Sequence, residues 1–571
     1  MVGDQRGVTL TIRLVECVPN FSEGRDRKII DAIADAIAAV SGVRLLDVDP
    51  GASTNRTVMT FVAPPELIVE AAFQAISKAA QLIDMRKHRG EHPRMGATDV
   101  CPFVPVTGVS MEDCVKLAEE LGKRVGAQLG IPVYLYAEAA RKDSRRSLAD
   151  IRQGEYEALC EKMKSPDFQP DFGPNQFNAV SGATVIGARP FLIAYNVNLN
   201  TRSKKLANEI ALNIREAGRA KRDERGEIVK DAEGNTVKVP GTLKECRAVG
   251  WYVDEYERAQ VSINLTNFEV TSLHDAFDEV SRQAEKLGMR VTGSEIVGLV
   301  PLKPMLAAGE HYLRKQGRST GVPEEELISC AVQSLGLSEL SPFKPAEKIV
   351  EQTVAAPGKH LRDMSLTSFV HELASESPAP GGGSVSALCG SLSAALSSMV
   401  ANLTFEKKGM EPLRPEMEKW AREAQALKRR LLYFVDEDMQ AFNAILEARR
   451  LPKGSKEERH KRDIAIIAAN CRATIVPLTV LKTVPELLHI AMVMVEKGNP
   501  SSLSDAGVAG LVAHTAGEGA FFNVLINLKD FGESEEEVTF NHNCRVEAEA
   551  LIKDVRLQAE KIRALVLARI S

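Results

Sequence analysis

The first third of the chain alternates short β-type runs with amphipathic helical segments. Ile30, Ile33 and Ile37 recur at helical spacing between two extended runs, 15–21 and 44–49. Further along, the pattern predicts strands at 57–63, 100–106 and 132–136, a helix from Pro65 to Ile83 and a helix over 117–129. The order strand, helix, strand, strand, helix, strand predicts a ferredoxin-like βαββαβ subdomain, followed by one extra helix and strand.

The same order of elements then appears a second time. The pattern predicts strands at 191–199, 247–253, 259–265 and 290–300, with helices over 206–217 and 273–287. We therefore expect two α+β subdomains in tandem. Between the first helix and the second strand of this repeat lies a charged insert, 221–244, which is typical of an exposed hairpin around Gly234-Asn235.

From about residue 340 the β-type runs give way to Ala, Leu, Glu and Lys at helical spacing, which predicts an all-α bundle. The predicted domains are 1–190 and 191–340 for the two α+β subdomains, a linker over 341–364, and a helical domain over 365–571. The longest uncharged stretch, Val385 to Phe405, is rich in Ser, Ala and Gly. This composition favours a buried bundle helix, and we expect no membrane span.

Composition narrows the class of protein. The 571 residues are 44% hydrophobic and 26% charged, as in soluble multidomain proteins, and the net charge of -5 does not favour a nucleic-acid partner. Nine cysteines stand without a close pair, so neither a disulfide framework nor a zinc ribbon is indicated. Because the residues before Leu14 also hold no apolar run typical of a signal peptide, we expect a cytoplasmic location.

The densest polar cluster is 86–96, where His88 and His92 stand among four cations and two glycines. Two imidazoles in a basic connection point to acid/base chemistry beside an anionic ligand, although a solvated basic loop has the same composition. A metal held by His88, Glu91 and His92 is disfavoured because their spacing differs from the helical H-E-x-x-H pattern.

Two further segments of the α+β part are candidates. Asp49 ends a predicted strand before a turn that closes at Asn55-Arg56, a position that suits either catalysis or a turn cap. The glycine-rich run 171–184 offers amides, an aromatic ring and little bulk. Such a run can fit around a planar heterocycle, but an ordinary long loop has the same composition.

In the helical part, Asp438 stands in an apolar stripe with Leu431, Val435, Phe442 and Ile445. A carboxyl group buried there would have a raised pKa, suited to proton transfer, unless a buried partner holds it for structural reasons. Asn523 and Asn527 likewise place two amides on one face of an apolar helix. Buried amides need partners, and a polar ligand is one candidate.

Long motifs connect these residues to a known family. They are VECVPNFSEG (15–24), LLDVDPGASTNRTV (45–58), GEHPRMGATDVCPFVPV (90–106), GEYEAL (154–159), DFGPNQFNAVSGATVIGAR (171–189), GLVPLK (298–303), PAPGGGSVSAL (378–388) and FNVLINLKD (522–530). Together they closely resemble the formimidoyltransferase-cyclodeaminases, bifunctional folate enzymes of histidine degradation. The resemblance departs at the insert 221–244 and at the extension before Leu14.

The resemblance implies two activities. The N-terminal half is expected to transfer a formimidoyl group from N-formimidoyl-L-glutamate to tetrahydrofolate, and the helical half to close the product to 5,10-methenyltetrahydrofolate with release of ammonia. It further implies tetrahydrofolate as a polyglutamylated co-substrate, no metal, and a ring-like homo-oligomer. The alternative is a chain that retains one activity, with the helical half acting mainly in assembly.

The resemblance also assigns residues. It implies His92 as the transferase catalytic residue, Asp49 as the acid near it, Asp438 as the cyclodeaminase catalytic acid, and the turn 380–384 beside it. The implied folate-binding segment is Gly173, Pro174, Asn175, Gln176, Phe177, Asn178, Ala179, Val180, Ser181 and Gly182. Candidate contacts to substrate carboxylates are Arg56, Arg89 and Arg94, and candidate contacts in the cyclodeaminase pocket are Ser384, Asp505, Asn523 and Asn527.

Overall fold

The computed structural model describes residues 13–52, 55–90, 93–231, 233–354, 360–377, 379–532 and 534–570. By their internal contacts the residues divide into two compact units. The first comprises residues 1–305 and 335–356, and the second comprises residues 306–334 and 357–571. Residues 306–334 are thus grouped with the helical part of the chain, whereas the predicted domain limits near 190, 340 and 364 stay predictions.

The elements are numbered in chain order. The strands are β1 (Leu14–Cys17), β2 (Asn20–Phe21), β3 (Arg44–Gly51), β4 (Arg56–Ala63), β5 (Thr98–Thr107), β6 (Val133–Ala137), β7 (Thr184–Ala188), β8 (Ile193–Leu199), β9 (Arg219–Ala220), β10 (Lys238–Val239), β11 (Cys246–Val253), β12 (Arg258–Leu265) and β13 (Val291–Val297). The helices are α1 (Arg27–Ala38), α2 (Pro65–Leu82), α3 (Met111–Leu129), α4 (Leu148–Arg152), α5 (Glu155–Lys162), α6 (Lys204–Ile214), α7 (Leu273–Lys286), α8 (Leu302–Lys315), α9 (Glu324–Ser334), α10 (Pro345–Lys348), α11 (Val350–Val354), α12 (Leu366–Leu373), α13 (Gly382–Glu406), α14 (Arg414–Arg450), α15 (Lys456–Lys497), α16 (Leu503–Asn527) and α17 (Glu535–Ile570).

The first sheet has the order β3, β4, β1 with β2, β5, β7, β6. Strands β1 and β2 share one position between β4 and β5, and all pairs up to β5 are antiparallel. Strands β7 and β6 extend the sheet in parallel. Helices α1, α2 and α3 cover one face with an apolar core that includes Ile33, Phe61, Ile76, Phe103 and Leu121. Every strand predicted for this region is confirmed, and β7 is an additional strand.

Local sequence explains where the helices of this unit begin and end. Ser110 caps α3 by accepting from the backbone N–H of Asp113, whose carboxylate accepts in return from the N–H of Ser110. Gly130 ends the same helix at a left-handed φ of 63°. Ser272 and Asp275 form the same reciprocal cap at the start of α7. These short-range signals explain why the predicted helices are found in place.

The second sheet has the order β11, β12, β8, β13 and is antiparallel throughout. Helices α6 and α7 cover one face, where Tyr195, Val197 and Val261 are fully buried. The short pair β9 and β10 follows α6 as a separate two-stranded sheet, and within the insert the N–H of Asp231 donates to the carbonyl of Asn235 over 2.9 Å. Each sheet contains four antiparallel strands that lie in the same spatial order: second, third, first and fourth in the chain. In the first sheet these strands are β3, β4, β1 and β5, and in the second they are β11, β12, β8 and β13.

The second unit is helical. Its core consists of α13, α14, α15 and α16, with α17 packed outside α15 and α16. The loop between α8 and α9 also belongs to it, since the carbonyl of Gly321 accepts from Asn402 over 2.8 Å and from Ser398 over 3.2 Å. An α/β N-terminal region and a helical C-terminal region therefore agree with the predicted fold class.

Two helices of this unit, α13 and α15, are long and apolar enough to cross a membrane by length and composition alone. Their most apolar windows are 61% and 50% buried inside the protein. Core helices of a bundle have the same properties, so these helices are weak support for a membrane span.

Candidate active sites

The basic segment 85–97 is fixed by a buried histidine, His88. Its Nε2 lies 2.9 Å from the carbonyl oxygen of Asn55, and because a carbonyl only accepts, Nε2 carries the proton. Its Nδ1 then accepts from Nε of Arg94 over 3.2 Å. Burial lowers the pKa of His88, and the charge of Arg94 lowers it further. His88 is thus a neutral ring with both nitrogens engaged, and its role is to hold the segment.

Arg94 is buried and bound by helix α5. Its Nη1 donates to Glu155 and to Glu157 over 2.8 Å each, and its Nη2 donates to Glu157 over 2.7 Å. A substrate carboxylate at Arg94, as predicted, would compete with these two glutamates, so this contact stays a prediction. The two glutamates belong to the motif GEYEAL, and their bonds to Arg94 could not be predicted because the paired residues are more than 60 positions apart.

The other two predicted arginines differ from Arg94. Arg89 is exposed, and its Nη1 donates to the carbonyl of His88 over 2.7 Å. Arg56 is partly buried at the start of β4, where burial lowers its pKa, with a further decrease from the charge of Arg152. Of the three, Arg89 presents the guanidinium that is most open to an anion from solvent.

The predicted folate segment 173–182 closes against the basic segment. The carbonyl of Ser181 accepts from the N–H of Ala97 over 2.8 Å, and the carbonyl of Val180 accepts from that of Met85 over 2.9 Å. Gly182 has a φ of +66°, and a Cβ there would lie 2.2 Å from the carbonyl oxygen of Met95. The close approach therefore requires glycine at position 182.

The first half of this segment is exposed. Residues 173–176 are exposed, and the ring of Phe177 lies 5.5 Å from that of Tyr156, centroid to centroid. The Asn178 carboxamide oxygen accepts from the N–H groups of Val180 and Ser181, which holds the turn. Residues 173–176 thus stay accessible to solvent, while 180–182 are bound to the segment that holds His88.

Of the two residues predicted to be central to the transfer, His92 and Asp49, the structure describes Asp49. His92 and Glu91 lie outside the described residues, so the position of the predicted catalytic imidazole stays a prediction. Asp49 lies at the end of β3, exposed, paired in the sheet with Val58 of β4. Over the ranges that the structure describes, no three or more His, Cys, Asp and Glu side chains form a group suited to a metal ion.

Asp438 occupies a close-fitting site between α14 and the start of α13. The hydroxyl of Ser384 donates to Oδ2 of Asp438 over 3.1 Å and lies 3.0 Å from the carbonyl of Val435. A Cβ on Gly383 would lie 2.0 Å from Oδ1, so glycine leaves the volume that this oxygen occupies. Burial raises the pKa of Asp438, and the bonds from Ser384 oppose the rise. A carboxyl whose pKa is raised in this way keeps its proton more readily than an exposed aspartate and is suited to proton transfer.

The remaining predicted contacts of this site lie at different distances from it. Asn523 borders the site, since its carboxamide lies 3.4 Å from the Cβ position of Gly382 and donates to the carbonyl of Gly519. Asn527 instead donates to the carbonyl of Ala473 on α15 over 2.7 Å. Asp505 lies eighteen positions before Asn523 on the same helix, about 27 Å away at 1.5 Å per residue. Of the four predicted contacts, Ser384 thus bonds Asp438 directly and Asn523 lies against the neighbouring Gly382.

Comparison with known proteins gives three family matches that together cover most of the chain, from residue 14 to residue 546. Residues 14–189 match the "Formiminotransferase domain, N-terminal subdomain", and residues 194–355 match the "Formiminotransferase domain". Residues 365–546 match "Formiminotransferase-cyclodeaminase".

Individual relatives repeat this division. Formimidoyltransferase-cyclodeaminase of Rattus norvegicus is 46% identical over 559 residues, which cover 98% of this chain and 99% of the relative. Glutamate formimidoyltransferase of Thermoplasma acidophilum is 46% identical over 310 residues, 54% of this chain and 95% of the relative. Methenyltetrahydrofolate cyclohydrolase of Methylorubrum extorquens is 33% identical over 207 residues, 36% of this chain and 98% of the relative.

Proposed function

The chain belongs to the formimidoyltransferase-cyclodeaminase family, and we propose that its two activities use two separate sites, one at segments 85–97 and 173–182 and one at Asp438. It is a bifunctional folate enzyme. The first activity transfers the formimidoyl group from N-formimidoyl-L-glutamate to tetrahydrofolate, giving L-glutamate and 5-formimidoyltetrahydrofolate. The second closes that product to 5,10-methenyltetrahydrofolate and releases ammonia.

For the transfer, His92 acts as the proton carrier. N5 of tetrahydrofolate attacks the formimidoyl carbon, a tetrahedral intermediate forms, and the bond to the glutamate nitrogen breaks after that nitrogen gains a proton. One imidazole takes the proton from N5 and returns it to the leaving nitrogen. The support is local: His88, the other histidine of the segment, has both ring nitrogens engaged.

Other residues of the first site bind and orient. Asp49 is proposed to orient the His92 ring or to stabilise its cation. The segment 173–182 is proposed to receive the folate, since its exposed half lies beside the segment that bears His92. Arg89, with Arg56 and Arg94 as further candidates, is proposed to hold carboxylates of the glutamyl substrate or of the folate tail.

For ring closure, Asp438 acts as the acid and base. N10 already lies near the formimidoyl carbon of the same molecule, so positioning supplies much of the rate and the protein has to protonate the departing ammonia. The observation that carries this assignment is the raised pKa of Asp438, whose carboxyl packs against Gly383 and accepts from Ser384. Ser384 and Asn523 border the substrate here.

An assay of the full chain tests both assignments. Tetrahydrofolate and formimidoylglutamate are added, and glutamate, ammonia and methenyl-folate absorbance are followed together. His92→Ala is expected to abolish glutamate release while retaining ring closure of supplied 5-formimidoyltetrahydrofolate. Asp438→Asn is expected to slow ring closure by about 10²- to 10⁴-fold while retaining glutamate release. Transfer at the normal rate in the first variant, or ring closure in the second, would remove that residue from its role.

A homo-oligomer is proposed from an apolar face of the helical unit. Exposed apolar side chains follow the outer side of α13 and α16, namely Leu392, Met399, Leu403, Val508, Leu511, Phe522 and Ile526. Water-exposed rows of this kind are typical of subunit contacts. Leu511→Glu with Phe522→Glu should lower the molar mass in light scattering, whereas Val538→Glu on α17 should leave it unchanged. An unchanged mass in the double variant would contradict this interface.

The finer assignments are also proposals. We assign both sheets to the ferredoxin-like class on their common strand order. We place the protein in the histidine degradation of the cytosol, where its nine free cysteines suit a reducing compartment. Polyglutamylated folates are the proposed form of the co-substrate, and the exposed cations Lys87 and Arg89 suit their anionic tails. The mechanism assigns no step to a metal, because a histidine and an aspartate supply its proton transfers.

A further inference from the structure

One asparagine, Asn55, joins three segments of the first unit. It immediately precedes β4, and its side chain is buried, with 8% exposed. Its φ is +47°, in the left-handed region that asparagine adopts more readily than most other residues with a side chain. The backbone at this position therefore favours asparagine or glycine, and the asparagine side chain adds contacts that glycine lacks.

Both ends of the Asn55 carboxamide are hydrogen-bonded. Its Oδ1 accepts from the backbone N–H of Gly24 over 3.0 Å, and its Nδ2 donates to the backbone carbonyl of Arg89 over 2.9 Å. The backbone carbonyl of Asn55 accepts from Nε2 of His88 over 2.9 Å. Asn55 thus holds segment 85–97 at two consecutive residues, by one side-chain bond and one backbone bond.

The loop before α1, to which Asn55 is bonded, is itself closely fitted. A Cβ on Gly24 would lie 2.3 Å from the carbonyl oxygen of Gly51, so this loop lies directly against the end of β3. The same loop holds the other end of segment 85–97, because the hydroxyl of Ser22 donates to the carbonyl of Gly96 over 2.7 Å. Segment 85–97 is therefore bound near both of its ends to parts of the chain that adjoin β3 and β4.

We propose that Asn55 is a positioning residue for the transfer: it fixes the backbone that carries His92. His92 follows Arg89 by three positions, and at about 3.5 Å per residue the carbonyl that Asn55 binds is within about 10 Å of His92 along the chain. A general acid and base acts only within hydrogen-bond reach of the proton that it moves, and a displacement of about 1 Å can cost about 100-fold in rate. This inference rests on the proposed function, which assigns the proton transfers to His92.

Asn55→Gly in the full-length protein tests the role without straining the backbone. Glycine adopts a φ of +47° freely and keeps the backbone carbonyl that His88 needs. The variant should lower the kcat of glutamate release about tenfold or more and change the KM for formimidoylglutamate less than about threefold. The long side chain of Arg89 can follow a small backbone shift, so substrate binding should suffer less than proton transfer. Asn235→Gly, the same exchange at an exposed position of the insert 221–244, is the matched control and should change neither constant.

Asn55→Asp separates the two side-chain bonds. At about pH 8, where an aspartate is ionised, its carboxylate still accepts from the N–H of Gly24 but offers no donor to the carbonyl of Arg89. The kcat of this variant should therefore fall as in Asn55→Gly, at a nearly constant KM. A normal kcat in Asn55→Asp would show that the bond to Arg89 does not position the segment, and would overturn the inference.

Each outcome decides the inference. A lower kcat at nearly constant KM in both Asn55 variants, with ring closure retained and the protein folded at the assay temperature, supports it. An unchanged kcat, or a raised KM without a fall in kcat, overturns it. A fall in kcat that only matches the unfolded fraction seen by circular dichroism assigns Asn55 a structural role and also overturns it. His92→Ala is assayed in parallel: normal transfer there refutes the proposed function itself, whereas its loss there with full transfer in Asn55→Gly refutes this positioning role alone.

Discussion

Two adjacent residues at the start of α13 set both the position and the proton affinity of the Asp438 carboxyl. Gly383 leaves the volume that Oδ1 fills, and Ser384 donates to Oδ2 from 54 positions earlier in the chain. The sequence identified Asp438 because a polar residue in an apolar stripe is visible along a single helix. It did not reveal the structural role of His88, since the partners Asn55 and Arg94 are brought to its ring only by the folded loop.

Ser384→Ala should move the pH dependence of ring closure. The hydroxyl bond stabilises the charged form of Asp438, so its loss raises the pKa of this carboxyl further. The protonated acid then persists to higher pH, and the limb of the rate profile that falls with rising pH should move upward, with less than about tenfold loss at the optimum. The rate of methenyl-folate formation between pH 5 and 9 measures this. A limb that stays in place or moves to lower pH would contradict the role of Ser384.

Two neighbouring glycines provide a matched pair of variants. A methyl group on Gly383 would lie 2.0 Å from Oδ1 of Asp438, whereas a methyl group on Gly381 meets nothing within 4 Å. Gly383→Ala should therefore reduce ring closure by about tenfold or more through displacement of the carboxyl, as expected for a misplaced catalytic group. Gly381→Ala should retain most of it. Equal rates of ring closure in the two variants would show that the position of the Asp438 carboxyl does not limit the reaction.

Strands and helices were predictable where their signals are local. The alternating and helical patterns gave every strand of the first sheet except β7, Thr184–Ala188, which is short, buried at all five positions and preceded by the glycine-rich run. Its strand character depends on pairing with β5 and β6, and such pairing cannot be read from five residues alone. For the same reason the packing of segment 173–182 against segment 85–97 could not be predicted from the sequence.

Gly182→Ala tests the packing of segment 173–182 against segment 85–97. The added Cβ would lie 2.2 Å from the carbonyl oxygen of Met95, so the segment must lift from its neighbour and the transfer rate should fall by about tenfold or more. Gly226→Ala carries a similar left-handed φ of 83° with nothing within 4 Å, and should cost about 1 kcal/mol of backbone strain without slowing transfer. Glutamate release by the two proteins is the measurement. Loss of ring closure in Gly182→Ala would indicate general misfolding instead.

Two activities on one chain fit the division into two compact units. The first unit contains segments 85–97 and 173–182, and the second contains Asp438 with the turn before α13. Composition and periodicity predicted an α/β part and a helical part, because both signals extend over hundreds of residues. They did not assign residues 306–334 to the helical unit, since the contacts of Gly321 with Ser398 and Asn402 span about eighty positions.

A mixture of two variants tests whether the activities are separable. His92→Ala is expected to lack transfer and Asp438→Asn to lack ring closure, so neither alone should turn formimidoylglutamate and tetrahydrofolate into ammonia at the normal rate. An equimolar mixture should restore ammonia release after a lag, because 5-formimidoyltetrahydrofolate leaves one protein and enters the other. Ammonia electrodes and methenyl-folate absorbance follow the time course. A mixture as slow as its components would show that one of the substitutions damages both sites.

The grouping of residues 306–334 with the helical unit bears on where the two activities can be cut apart. The match to the "Formiminotransferase domain" runs over 194–355 and so includes this segment, although its contacts place it in the second unit. A shortened chain that ended with the transferase match would therefore expose Gly321, whose carbonyl is bound by Ser398 and Asn402 in the full chain.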